Sequence, residues 1–204
     1  MDGTLIDSTD AIVLSFLDVF EKFDLQKPTS KKIKKYIGYT LEDMFLNMQV
    51  EKKYINECVK EYKSFYRQRA LDTTTFLPGA KEAVKKAFTF ANLGIVTTKT
   101  GKYSKEILEH LGIMEYFDVL IGREDVTYPK PHKEPIQKAL SLMPYIQKNI
   151  WMIGDTRFDL LSAKNAGINA IGVLSGYGSK DELVKYTSFI EEDAFLAVTF
   201  LEQF

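Results

Sequence analysis

The chain has one cysteine, very little net charge and no long apolar run. One cysteine excludes an intramolecular disulfide framework and is typical of a reducing compartment. A formal net charge of -1 argues against a protein that binds nucleic acid mainly through its charge. No apolar run approaches the roughly 20 residues of a membrane-spanning helix. These absences predict a cytoplasmic protein with neither a nucleic acid nor a membrane as its partner.

The length and the apolar content of the chain bound its domain organisation. A chain of 204 residues, 45% of them apolar, can form one generous domain or a core with a modest insertion. The helix and strand signals along the sequence favour the second arrangement.

Residues 9–75 carry helical signals and no convincing strand. Apolar side chains recur at helical spacing in the first segment, and a second apolar stripe includes Cys58. Thr40 stands at a helix N-cap position with Asp43 three residues later. The predicted helices cover residues 9–23, 31–37, 40–48 and 51–71. We therefore predict a helical domain over residues 9–75.

Strand and helix signals alternate after the break at Pro78 and Gly79. The predicted strands cover residues 93–97, 118–122, 150–153, 170–174 and 189–190. The predicted helices cover residues 80–90, 102–111, 134–143, 159–166, 179–186 and 194–204. Short apolar strands alternating with amphipathic helices indicate a parallel sheet with helices on both faces. The predicted fold is a three-layer α/β/α, Rossmann-like core over residues 1–8 and 76–204, with the helical domain inserted.

Polar side chains stand just beyond the predicted strands of this core. Asp2 opens the chain, Thr97 ends one strand, Lys130 follows another, and Asp155 and Asp159 follow a third. Ligands bind at the carboxyl ends of parallel strands, so we expect these side chains to lie together. Carboxylates, a hydroxyl and an ammonium are the groups that metal-assisted phosphoryl transfer requires.

Four short motifs follow one another along the chain. They read Asp-Gly-Thr-Leu-Ile-Asp-Ser at residues 2–8, Thr-Thr-Lys at 97–99, Lys-Pro at 130–131 and Gly-Asp-Thr-Arg-Phe-Asp at 154–159. In this order and spacing the set resembles the haloacid dehalogenase superfamily, most closely its phosphoglycolate-phosphatase-like members. The resemblance implies a Rossmann-like core and identifies residues 9–75 as the family's α-helical cap domain.

The resemblance assigns catalytic roles to three residues. Asp2 would protonate the leaving alkoxide and then deprotonate the attacking water. Thr97 would donate a hydrogen bond to a phosphoryl oxygen, and Lys130 would offset the charge on the phosphoryl oxygens. Lys99 and Lys133 are weaker candidates because only Lys130 heads a Lys-Pro pair.

The resemblance also implies a phosphate-binding set and a Mg²⁺ site. The phosphate-binding set is Gly3, Thr97, Thr98 and Lys130, with Thr98 standing where many relatives have asparagine. The metal set is Asp2, through its backbone carbonyl, Asp155 as a direct ligand, and Asp159. Asp159 could instead orient Lys130 or a metal-bound water, or could be an ordinary acid in the first turn of a helix.

The nucleophilic aspartate of the family's first motif would come directly before Met1, where this sequence has no residue. The buried strand that carries it would lie between the strands ending at Val96 and Ile153. We therefore expect the natural protein to begin several residues upstream. We also expect the central strand to be largely absent from these 204 residues, and the chain as given to have little or no phosphatase activity.

The function that this resemblance implies is Mg²⁺-dependent hydrolysis of a small, phosphoglycolate-like phosphate monoester through an aspartyl-phosphate. The expected partner is a small phosphorylated metabolite. Two alternatives stay open, namely a non-catalytic protein that binds a phosphate or metabolite, and a phosphotransferase such as a β-phosphoglucomutase. The sequence decides neither the substrate nor the oligomeric state.

Overall fold

The computed structural model describes residues 1–143 and 149–203. The chain forms two compact units, one made of Met1–Asp7 together with the residues from Phe76 onward, the other of Ser8–Thr75. No helix in the described ranges is long and apolar enough to cross a membrane. The predicted C-terminal end of the last helix, at residue 204, lies outside the described residues.

The unit Ser8–Thr75 consists mainly of helices. They are α1 (Thr9–Lys22), α2 (Ser30–Lys35), α3 (Leu41–Asn47) and α4 (Ile55–Thr73). As predicted, Thr40 caps α3, since its side chain accepts a hydrogen bond from the backbone N–H of Asp43 at 3.2 Å. The longest helix starts later than predicted because Lys52–Tyr54 forms a 3₁₀ turn before it.

Aromatic rings fill the core of this helical unit. The ring of Phe16 lies 4.7 Å from the ring of Phe45 and 4.7 Å from that of Tyr62, measured between centroids. The tilted arrangement of both pairs is one that aromatic rings favour. These three residues come from α1, α3 and α4, so the cluster joins the three helices.

The other unit supplies the strands and the remaining helices. The strands are β1 (Ile6–Asp7), β2 (Thr75–Phe76), β3 (Gly94–Val96), β4 (Val119–Ile121), β5 (Trp151–Gly154), β6 (Asn169–Val173) and β7 (Ile190–Glu191). The helices are α5 (Ala80–Phe88), α6 (Gly101–His110), α7 (Glu134–Leu142), α8 (Arg157–Ala166), α9 (Lys180–Leu183) and α10 (Ala194–Leu201). The alternation of strands and helices predicted after residue 76 is confirmed.

The strands of the core pair in parallel, as predicted. Gly94 of β3 lies opposite Val119 of β4, and Trp151 of β5 lies opposite Asn169 of β6, which also pairs with β7. Within the described residues, however, β3–β4 and β5–β6–β7 are separate sheets rather than one continuous sheet. No strand in the described residues pairs with both β3 and β5.

The aromatic cluster gives a direct test of the helical unit. Phe16→Ala should lower the free energy of unfolding by about 3–5 kcal/mol, because it removes a fully buried ring and leaves a cavity. Leu14→Ala is the matched control on α1, since Leu14 is 47% exposed, and it should cost less than about 1 kcal/mol. Urea denaturation followed by circular dichroism measures both, and equal losses would contradict this core.

Candidate active site

Lys130 connects the carboxyl end of β3 to the first turn of α8. Its Nζ donates a hydrogen bond to the backbone carbonyl of Val96, the last residue of β3, at 3.0 Å. The same ammonium lies 2.5 Å from Oδ1 of Asp159 on α8. Both charged side chains are buried. The motif lysine is therefore fixed in position by two acceptors from distant parts of the chain.

Asp159 uses its two carboxylate oxygens for different partners. Oδ1 accepts from Lys130, whereas Oδ2 accepts from the backbone N–H and the hydroxyl of Thr156, at 3.0 and 2.7 Å. Thr156 and Asp159 form the capping box that starts α8. Burial is the largest single influence and would raise the pKa of Asp159, but the Lys130 ammonium, the Met1 ammonium and the hydrogen bonds from Lys130 and Thr156 together lower that pKa. Asp159 is therefore the charged anchor that positions Lys130.

Asp155 comes directly after β5 and is almost completely buried. Its Oδ1 accepts from the Thr4 hydroxyl at 2.8 Å, and its Oδ2 accepts from the backbone N–H of Tyr177 at 3.0 Å. Burial, followed by the negative charge of Asp159, raises the pKa of Asp155 to about 6. This carboxyl group is thus held in place by hydrogen bonds while its charge is only partly offset.

Two glycines allow the chain to approach Asp155 closely. A Cβ atom added at Gly3 or at Gly176 would lie 2.1 Å from Oδ2 of Asp155. This distance is too short for any residue with a Cβ atom, so both positions require glycine. Gly3 also has a φ of +76°, in the left-handed region that favours glycine. Ser175, beside Gly176, donates its hydroxyl hydrogen bond to the Gly3 carbonyl at 2.9 Å. Gly3 therefore lies directly against Asp155. Its predicted role in phosphate binding stays a prediction.

The loop that follows β6 is a part of the site that the sequence reasoning missed. Gly176 and Tyr177 both contact the Asp155 carboxylate, and Ser175 contacts Gly3. The available signal was the Gly-Tyr-Gly run that ends at Gly178, directly after a predicted strand. The backbone N–H of Gly178 also donates to the Asp155 carbonyl at 3.0 Å.

Asp2 pairs with a lysine that the sequence ranked below Lys130. Nζ of Lys99 lies 3.3 Å from Oδ1 of Asp2, and their side chains are only 11% and 13% exposed. Thr97 is buried, and its Oγ1 accepts from the backbone N–H of Lys99 at 3.1 Å. The structure therefore brings Asp2 and Thr97 together through Lys99. Thr98, between Thr97 and Lys99, is half-buried.

The buried α-amino group of Met1 lies within electrostatic range of both groups of side chains. Burial, followed by the charge of Lys130, lowers its pKa, while Asp159, Asp155 and Asp2 act to raise it. Lys130, Asp2, Asp155 and Asp159 therefore all act on the charge of the same group.

The carboxylates fit a metal ion only with further donors. No group of three or more His, Cys, Asp or Glu side chains in the described ranges is arranged to hold an ion. Asp159 is bonded to Lys130 and Thr156, and Asp2 to Lys99. Asp155 is the carboxylate that best fits Mg²⁺, which accepts one or two carboxylates with carbonyl oxygens and waters. The three-residue metal set stays a prediction.

Comparison with known proteins finds a family model and several relatives that match most of the chain. The family model of haloacid dehalogenase-like hydrolases matches residues 1–173. A Dickeya dadantii protein named "Probable phosphatase IndB" is 34% identical over 190 residues, covering 90% of this chain and 82% of that relative. Pyrophosphatase PpaX of Halalkalibacterium halodurans is 32% identical over 183 residues, covering 89% and 83%.

A solved structure gives the same result for the fold. The haloacid dehalogenase-like family hydrolase from Streptococcus pneumoniae matches with a TM-score of 0.87 at 27% identity, over 98% of this chain and 95% of that one. Parallel α/β layers with charged groups gathered at the carboxyl ends of their strands define a Rossmann-like enzyme. The chain belongs to the family of haloacid dehalogenase-like hydrolases. The predicted fold class and family are confirmed.

The raised pKa of Asp155 predicts how stability depends on pH without metal. Because the folded-state pKa of about 6 exceeds the ordinary value of 3.8, folding binds a proton between these values, and stability is lost as pH rises through 6. Between pH 5 and 7.5 the loss attributable to Asp155 is about 1–1.5 kcal/mol. Urea denaturation in EDTA at pH 5 and 7.5 measures it.

Asp155→Asn should remove this component of the pH dependence. Asp72→Asn, on the exposed surface of α4, is the matched control and should leave it unchanged. If the Asp155 variant kept the full pH dependence of the parent chain, the burial of an incompletely paired carboxyl would not be its source.

Proposed function

We propose that this hydrolase is a Mg²⁺-dependent phosphatase that cleaves a small, phosphoglycolate-like phosphate monoester through an aspartyl-phosphate. The observation that carries the proposal is the fixed ammonium of Lys130, held by Val96 and by Asp159, whose charge also acts on the buried carboxyl of Asp155. A fixed cation beside a carboxyl suits a doubly charged phosphoryl group. The names of the relatives described above support the same chemistry.

Lys130 would bind the transferring phosphoryl group. An ammonium has three N–H donors, and Val96 and Asp159 account for two of them. The third is available for a phosphoryl oxygen, where a positive charge stabilises the negative charge that develops during transfer. Asp159 acts as a positioning residue because it holds the ammonium and stays ionised.

Asp2 would act as the general acid and base. Its pairing with Lys99 fixes the position of the carboxylate, and a carboxylate can accept a proton from water. Thr97 would donate its hydroxyl to a phosphoryl oxygen while its Oγ1 accepts from the backbone of Lys99. The nucleophile would be an aspartate two positions before Asp2. On extended chain, side chains two residues apart point the same way.

Mg²⁺ would be held by Asp155 as a direct ligand and by the backbone carbonyl of Asp2, with Asp159 as the third member of the predicted metal set. When bound, the ion offsets the negative charge of the phosphoryl group. It would also offset the charge of Asp155, whose raised pKa indicates that the surrounding groups offset this charge only in part. Gly3 and Gly176 keep the space around the Asp155 carboxylate narrow, which favours a small ion.

Pyrophosphate is a second candidate substrate. The observation that favours it is the 32% identity to a relative named pyrophosphatase, covering 89% of this chain. A phosphotransferase would use the same residues but would pass the phosphoryl group to an acceptor other than water. A non-catalytic member would bind phosphate without turnover. These alternatives differ in their products, so one assay separates them.

The test compares the 204-residue chain with a version extended at its N-terminus. The extension is an apolar strand ending in aspartate, so that Asp-Met-Asp precedes Gly3. With Mg²⁺ and p-nitrophenyl phosphate, phosphoglycolate or pyrophosphate, the extended chain should release phosphate at least about 10³-fold faster, because it restores a nucleophile. An extension ending in asparagine is the matched control and should stay slow.

Each outcome of this assay has a definite meaning. Phosphate binding without turnover in the aspartate-extended chain would favour the non-catalytic alternative. Equal turnover by the 204-residue chain would show that another carboxylate is the nucleophile. Intact-mass measurement of the naturally expressed protein tests the upstream start, and a mass that corresponds to a start at Met1 would overturn it.

Lys130→Ala in the extended chain should lower kcat/KM by about 10²–10³-fold, because it removes a preorganised positive charge. Lys133→Ala is the matched control, since Lys133 lies three residues away on the exposed surface. It should change kcat/KM less than about threefold. Initial rates over a range of substrate concentrations measure both variants, and similar losses would remove the special role of Lys130.

A further inference from the structure

Lys130 lies in a loop that has no regular secondary structure. Residues 126–133, between β4 and α7, form neither helix nor strand, yet the side chain of Lys130 is buried. The backbone of such a segment lacks the repeated hydrogen bonds of a helix or sheet, so contacts from other elements must fix it. We call residues 125–132 the lysine loop. The position of the Lys130 ammonium therefore depends on what holds the lysine loop.

One face of α8 holds the second half of the lysine loop. Asp159 accepts from the ammonium at 2.5 Å, as described above. The hydroxyl of Ser162 and the side-chain amide of Asn165 each donate a hydrogen bond to a loop carbonyl, both at 2.8 Å. In that order, the loop partners are Lys130, His132 and Pro131. Residues three positions apart on an α-helix lie on the same face, so one row of side chains holds three consecutive loop residues.

The first turns of α7 hold the other half of the lysine loop. Oε1 of Glu134 accepts from the backbone N–H of Thr127 at 2.8 Å, and Oε2 accepts from that of Tyr128 at 2.9 Å. These two hydrogen bonds lower the pKa of Glu134, which keeps its carboxylate charged. Hydrogen bonds to a charged acceptor are roughly twice as strong as those between neutral groups. Lys138, one turn later, donates to the backbone carbonyl of Asp125.

The carboxylate of Glu134 acts on the loop backbone rather than on the ammonium. The two N–H groups that it binds belong to the residues two and three positions before Lys130. An acid in the first turn of a helix ordinarily interacts with the helix dipole. That ordinary role does not require two hydrogen bonds to a neighbouring segment, whereas fixing the lysine loop does. The two halves of the loop are thus held by different helices, and Lys130 lies where the halves meet.

We propose that Glu134 is a positioning residue for Lys130. Its carboxylate fixes the first half of the lysine loop while α8 fixes the second, and the ammonium thereby stays on its two acceptors. The consequence for catalysis rests on the proposed function, which gives Lys130 its role in phosphoryl transfer. A catalytic charge has to be held within about 0.5 Å of its productive position, and a displacement of about 1 Å can lower a rate by about 100-fold.

Acetylation of lysines by acetic anhydride, read by peptide mass spectrometry, measures how firmly Lys130 is held. In the 204-residue chain, Glu134→Ala should speed the acetylation of Lys130 at least about fivefold, because two charge-assisted hydrogen bonds are lost. Glu134→Gln keeps one acceptor oxygen and should give a smaller increase. Lys99 is the internal reference, since its side chain is only 11% exposed and lies in another loop of the same unit. Its rate should change less than about twofold.

Glu82→Ala is the matched control, because Glu82 is also an acid in the first turn of a helix, α5, and is exposed. It should leave the acetylation of Lys130 within about twofold of the parent chain. In the aspartate-extended chain described above, Glu134→Ala should lower kcat/KM by about tenfold, whereas Glu82→Ala should change it less than about twofold. Circular dichroism establishes that the variants fold.

Two results would overturn the proposal. The first is an unchanged acetylation rate of Lys130 in the folded Glu134→Ala chain, or in Glu134→Gln if the alanine variant does not fold. The second is an equal rise at Lys130 and Lys99, which would show a general loss of stability rather than a looser lysine loop. If the aspartate-extended parent chain has no phosphatase activity, the proposed function fails. The acetylation rates do not depend on turnover, so they still decide whether Glu134 positions Lys130.

Discussion

The buried contact of Lys130 with Asp159 is the interaction on which the core depends. Lys130 also bonds to the carbonyl of Val96, so one ammonium connects the end of β3 to the start of α8. Removing either charge would leave the other buried without its partner, which typically costs 3–5 kcal/mol. Since β3 and β5 do not pair in the described ranges, this contact fixes their carboxyl ends relative to each other.

Asp155 presents the opposite electrostatic situation a few residues away. Asp159 has a full cationic partner and a lowered pKa, whereas the buried Asp155 has a raised pKa. The surroundings of Asp155 and Asp159 therefore shift the pKa values of these two acids in opposite directions. Such a separation is typical of functional sites, because structural ion pairs alone do not require an acid to be buried with its charge only partly offset.

The sequence predicted the parallel strands and the polar residues that stand at their carboxyl ends. Thr97, Lys130, Asp155 and Asp159 were identified because strand ends are visible in apolar patterns, and parallel strands place those ends together. Lys99 was ranked too low, and the loop around Gly176 was missed, because contacts between segments far apart in sequence leave no periodic signal. The separation of β3–β4 from β5–β6–β7 depends on contacts between strands, which the apolar pattern of a single strand does not encode.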